Sequence, residues 1–192
     1  MNNKRASLAL AAISLATAFA LPAHASNVPL PADNQWNLFS VDSALDPSLA
    51  WIDDNGSPLA FDFSIGAGFV GTLTIVDAVF NGDTFKVTNF GNLLGSTSSV
   101  PLADFDSAID HGLDFDAALA DSSFSHAVFT LGAGSYHIGG SLDQSLLFDG
   151  QRLDATAGAL RLNIAPIPEP STYAMLLAGL GVVGLIARRR RS

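Results

Sequence analysis

Leu59-Ala60-Phe61-Asp62-Phe63-Ser64-Ile65 carries the pattern on which the fold assignment turns: large apolar side chains at Leu59, Phe61, Phe63 and Ile65 alternate with Ala60, Asp62 and Ser64. Successive side chains of an extended chain point to opposite faces, so this period of two predicts a strand with one buried and one wet face. Downstream, Leu73 and Ile75 keep the period, and the apolar set then moves to Val76, Ala78 and Phe80. That change of parity predicts a β-bulge near Val76-Asp77. Asn81-Gly82-Asp83 is a strong turn signal, and Phe85 and Val87 resume the alternation, so residues 71–90 are expected to form a β-hairpin. Ala127, Phe129 and Leu131, the turn Gly132-Ala133-Gly134, and Tyr136 with Ile138 predict a second hairpin. Leu160, Leu162 and Ile164 predict a last strand. Frequent short strands with Gly- and Asn-rich turns point to a mainly β fold, an antiparallel, jelly-roll-like β-sandwich.

Residues 101–121 break this pattern. Leu102, Phe105 and Ile109 have helical spacing, Asp104 suits an N-cap, and Asp104-Phe105-Asp106 returns ten residues later as Asp114-Phe115-Asp116. A long loop with one or two helical turns is expected. Asp104, Asp106, Asp110, Asp114 and Asp116 are also the candidate metal set, because Ca²⁺ takes several carboxylate and carbonyl oxygens from one flexible loop. Their spacing departs from the EF-hand pattern, as does that of Asp53-Asp54-Asn55-Gly56. Solvated or capping aspartates are the leading expectation, with no cofactor and Ca²⁺ as the alternative.

The composition falls into three blocks. Lys4 and Arg5, the apolar run Leu8 to Leu21, Pro22 and the A-x-A site Ala23-His24-Ala25 before Ser26 read as a signal peptide over 1–25. The domain expected over 26–165 has only Lys86, Arg152 and Arg161 against seventeen aspartates, a net charge near −14. It has no cysteine, so its apolar core must hold it, with a bound ion as the one other expected aid. Residues 166–171 form a Pro-rich linker with Pro168-Glu169-Pro170, and Glu169 is the single glutamate in the chain. Residues 172–187 are expected to form a transmembrane helix; the apolar run Tyr173 to Ala187 would span roughly 22 Å, short of the ~30 Å hydrocarbon core. Arg188, Arg189, Arg190 and Arg191 follow, in residues 188–192, and by the positive-inside rule belong in the cytoplasm. Both ends give the same topology, with the central domain across the inner membrane.

A Pro-Glu-Pro motif, a short apolar helix and a terminal arginine cluster, in that order, resemble the PEP-CTERM sorting signal over Ile167 to Ser192. The resemblance implies that a membrane-embedded exosortase recognises Pro168, Glu169 and Pro170 and cuts near them, after signal peptidase has cut between Ala25 and Ser26. It implies a Gram-negative host, a precursor held transiently in the inner membrane through 172–187, and a mature protein at the cell surface or in the extracellular matrix, in exopolysaccharide and biofilm systems. The central block is also similar to an ectodomain type of no assigned function that recurs in such proteins. That likeness rests on Thr74 to Asp77, Gly82-Asp83, Phe85, Val87, Leu94-Gly95, Thr97-Ser98, Asp116 to Asp121, Phe124 to His126 and Leu131 to Gly134.

Other classes of function find less support. There is no thiol, no G-x-S-x-G elbow and no Gly-rich phosphate loop, so a catalytic role is not expected and a secreted hydrolase ranks third. His111, His126 and His137 lack metal-ligand spacing. An acidic block repels phosphate backbones, which argues against nucleic acid. The second-ranked function is a Ca²⁺-assisted carbohydrate-binding module reading sugars through Trp36, Trp51 or Tyr136, rings expected first of all to be core.

Overall fold

The computed structural model describes residues 26–168, 175–180 and 189. The expected signal peptide with Ala23 and Ala25, together with Glu169, Pro170, Arg188, Arg190 and Arg191, lies outside the described residues. In chain order the elements begin with β1 (Ser26–Pro29), β2 (Asn37–Asp42), β3 (Leu59–Ile65), β4 (Phe69–Phe80), β5 (Thr84–Asn89) and β6 (Asn92–Ser96). A 3₁₀ turn (Phe105–Ser107), β7 (Asp110–Gly112) and helix α1 (Phe115–Ala120) fill the Asp-rich loop. The chain continues through β8 (His126–Leu131), β9 (Gly134–Gln144), β10 (Leu147–Phe148), β11 (Gln151–Arg152) and β12 (Ala155–Pro166).

These strands form the expected β-sandwich. One sheet runs β1-β3-β9-β5-β6; the other runs β2-β12-β4, with the far edge of β4 shared between β8 and β7. Every pairing of these strands is antiparallel except β1 with β3. Segment 50–52 ties the layers together: Ala50 bridges Ser141 of β9, and Ile52 bridges Ser40 of β2.

Neither expected hairpin exists. β4 pairs with β12, β8 and β7, whereas β5 pairs with β9 and β6. Asn81-Gly82-Asp83 therefore carries the chain from one sheet to the other, and the flanking strands face each other through side chains: Leu73 and Ile75 share a core with Phe85 and Val87. Gly132-Ala133-Gly134 does the same between β8, on β4, and β9, on β3. The parity change at Val76 is not a bulge either. Strand β4 pairs with β12 without interruption from Phe69 to Ala78, and its Leu73 to Ala78 stretch is buried on both faces. Val76 packs outward with Ala118 of α1, Phe124 and Ala159 in a second, smaller core. The irregularity lies later, between Val79 and Phe80, where Val79 has φ 66°.

At the centre of the main core Phe39 and Trp51 stack at 3.9 Å, and Phe85 meets both rings edge-on. Two strand glycines make room. A Cβ on Gly140 would lie 2.5 Å from the Trp51 ring and from the Lys86 carbonyl, and one on Gly158 would strike the Phe39 ring.

Candidate functional site

The echo in the Asp-rich loop is a pair of caps. Asp104 Oδ1 accepts from the Asp106 N–H at 3.2 Å and opens the 3₁₀ turn; Asp114 Oδ1 accepts from the Ala117 N–H at 3.0 Å and opens α1. Asp110 Oδ1 accepts from the Gly112 N–H at 2.7 Å. Asp116 Oδ1 accepts from Trp36 Nε1 and pairs with Arg161 at 3.1 Å, while Arg161 lies 4.2 Å over the Trp36 ring. Four of the five candidate carboxylates are thus directed to separate partners, Asp106 contributes its backbone N–H to the first cap, and no cluster of three or more metal-ligating side chains forms among the described residues.

The candidate sugar-reading rings are also engaged. Trp51 is fully buried, Tyr136 stacks on Phe63 at 5.0 Å, and one face of Trp36 carries Arg161. Two histidines pair with carboxylates: His111 Nε2 lies 3.1 Å from Asp121 Oδ2, and His137 Nδ1 lies 2.6 Å from Asp62 Oδ1. These are distant one-to-one pairs on different elements. Ser26 opens β1: its N–H donates to the Pro58 carbonyl and its hydroxyl to Asp53 Oδ2 at 2.6 Å. That hydroxyl, with the Ser57 and Asn55 N–H groups, holds Asp53 below the usual carboxylate range.

Sequence reasoning missed the pair Asp77 and Asp83, both fully buried at the sheet-crossing turn. Asp77 accepts from the Ala78 and Asp83 N–H groups, and Asp83 Oδ1 accepts from the Leu146 N–H at 2.7 Å. Asp83 Oδ2 has no partner. The signal was present: in the series Leu73, Ile75, Asp77 an aspartate occupies a core-facing position. Burial, reinforced by the Asp83 charge, pushes Asp77 well above its ordinary range. Burial likewise raises Asp83 to about 6; the Thr156 hydroxyl, which stops short of hydrogen-bond geometry, the Leu146 N–H and Arg152 offset this only in part. Sealed from solvent, the two carboxylates meet no substrate.

They do set a pH dependence. The folded state holds the Asp83 proton more tightly than the unfolded chain, so this stabilisation is complete below ~4 and is lost as pH rises through about 6. Asp77 acts in the same direction. Asp53 and Asp121, both lowered, act oppositely and only in more acidic solution. The domain is expected to lose about 1–2 kcal/mol between pH 5 and 8, and Asp83→Asn to flatten that slope. Urea midpoints across this range check it; a midpoint that climbs with pH contradicts it.

At the C-terminus, β12 stays paired with β4 as far as Pro166, opposite Phe69, and the Ile167 N–H donates to the Gly68 carbonyl at 2.8 Å. Pro168, the first residue of the Pro-Glu-Pro tripeptide, follows directly and is exposed. Residues 175–180 are helical, with Met175, Leu176, Leu177 and Leu180 exposed, and Arg189 is exposed. Among the described residues no helix is long and apolar enough to cross a membrane.

These features define a class: a β-sandwich domain followed directly by a short C-terminal tail. The tail is specific. Residues 166–191 match the PEP-CTERM protein-sorting motif, and the chain carries that motif directly after its last strand. No curated protein matches the chain. Among solved structures, the pre-peptidase C-terminal domain of a collagenase from Bacillus anthracis is similar at 10% identity and a TM-score of 0.39, covering 74% of this chain and 98% of that one. A likeness of that size says nothing about activity.

Proposed function

We propose that this chain is a non-catalytic envelope or extracellular-matrix protein of a Gram-negative bacterium, exported through residues 1–25 and held in the inner membrane through residues 172–187. An exosortase then sorts it to the surface through Pro168, Glu169 and Pro170, where it accompanies exopolysaccharide in a biofilm matrix. The observation that carries this reading is the match of residues 166–191 to the PEP-CTERM protein-sorting motif, which begins at Pro166, the last residue of the final strand pairing. The acidic surface keeps the delivered domain soluble and lets it meet anionic polymers only through bridging cations.

Mass spectrometry of the protein recovered from its native host tests the proposal. The mature product is expected to begin at Ser26 and to end near Pro168 to Pro170, without the apolar run and the arginines. Recovery of surface-exposed protein that still ends at Ser192 sinks it.

A further inference from the structure

The charge on the sandwich is polarised along its length. At one end lie the turn 66–68 between β3 and β4, the crossing 132–133 between β8 and β9, and the C-terminus of β12. Their common location follows from the pairings Pro166 with Phe69, Gly71 with Leu131, and Ile65 with Gly134. The segments forming this end, residues 63–73, 127–136 and 163–168, contain no charged side chain. Both loops read Gly-Ala-Gly, at Gly66-Ala67-Gly68 and Gly132-Ala133-Gly134. Phe69 and Ile167 are exposed there at 42% and 51%. The nearest carboxylates are Glu169, in the tether immediately after Pro168, and, three residues back along the strands, Asp62 behind Ile65 and Asp33, which bridges Asn163 of β12. The opposite end carries Asp42, Asp104, Asp106, Asp149 and Asp154.

We propose that this uncharged end is a membrane-facing surface: in the anchored precursor, Phe69, Ile167 and the two Gly-Ala-Gly loops rest on the phospholipid headgroups, with the acidic end directed away. The inference rests on the proposed membrane-held precursor and adds an orientation to it. Five residues, 168–172, and so six Cα-to-Cα steps separate Ile167 from Tyr173, the start of the apolar run. Fully extended they reach about 20 Å, and the headgroup layer itself takes up roughly 5–8 Å of that. The tether therefore holds this end of the domain near the bilayer. Anionic headgroups repel a domain near −14 unless the face turned to them carries no carboxylates. Small uncharged loops and two exposed apolar side chains meet that condition, and no other face is tied to the tail.

The absence of native cysteine makes the test direct. The full chain carrying Ala67→Cys, Ala133→Cys or Gln151→Cys, each labelled with an environment-sensitive fluorophore, is reconstituted in phosphatidylethanolamine–phosphatidylglycerol vesicles. Labels at 67 and 133 are expected to shift to the blue and to be quenched several-fold more by spin-labelled lipid than the label at 151. Vesicle flotation after alkaline extraction is read in parallel. Protein that floats while all three labels remain equally accessible to water overturns the orientation alone, leaving this end to a protein partner. Protein that fails to float overturns both the membrane-held precursor and the orientation.

Discussion

Trp51→Ala is expected to destabilise the domain by ~3–5 kcal/mol, a large share of the ~5–15 kcal/mol that holds a typical domain folded. The ring is fully buried, stacked on Phe39 at 3.9 Å and bounded by the edge of Phe85. It fills the slot that Gly140 leaves open, so its removal leaves a void that the two sheets cannot close by a small shift. With no disulfide in the chain, nothing else bears the loss. Trp51→Phe makes the argument sharper. Trp51 Nε1 is buried without a partner, and an orphaned donor costs ~1–3 kcal/mol. Phenylalanine keeps an aromatic face against Phe39 and removes that donor, so it should lose less than half of what alanine loses. Urea titrations followed by circular dichroism measure both; an alanine variant within about 1 kcal/mol of the parent would show that the stack is not the centre of the core.

Glu169→Ala is expected to leave export and folding intact while the precursor accumulates with its tail in place. Glu169 is the one glutamate of a chain that uses aspartate seventeen times elsewhere, and it stands between two prolines inside the segment matching the PEP-CTERM protein-sorting motif. A carboxylate recognised by a charged or strongly donating partner contributes ~1.5–3 kcal/mol, so processing should slow by roughly 10- to 100-fold. Glu169→Asp, which keeps the charge on a shorter arm, should fall between the two. Immunoblots of membrane and culture fractions report the ratio of precursor to mature protein, and an unchanged ratio in the alanine variant would assign recognition elsewhere.

What the sequence disclosed divides along a physical line. Alternation at Leu59 to Ile65 reports which side chains face inward, and those residues do form the strand β3. Alternation does not report which strand lies alongside. Asn81-Gly82-Asp83 and Gly132-Ala133-Gly134 have the turn chemistry of hairpins, yet both reverse the chain between sheets, because a tight turn rotates freely into either arrangement until the core selects one. Val76 misled for a related reason: its outward burial depends on α1 and Phe124, about forty to fifty residues away in the chain. The tail was legible because its information is linear. An order of tripeptide, apolar run and arginines needs no folding to be read. The caps at Asp104 and Asp114 were half legible, since the N-cap role is local, whereas the orientation of their remaining oxygens depends on neighbours. Asp77 and Asp83 needed the sheet crossing before their shared burial could be recognised.

The position of β12 has a consequence in time. It lies in the middle of its sheet, between β2 and β4, yet it is the last strand before the sorting motif. In the proposed export from the N-terminus, β4 can pair with β7 and β8 early, but β2 cannot join that sheet until Ala155 to Pro166 has crossed, and sheets built from distant segments close slowly, on the order of milliseconds to seconds. Completion of the fold and arrival of the tail are therefore nearly simultaneous. A polypeptide that stops before Ala155 lacks the strand that joins β2 to β4, so such truncated copies are expected to emerge unfolded and open to proteolysis.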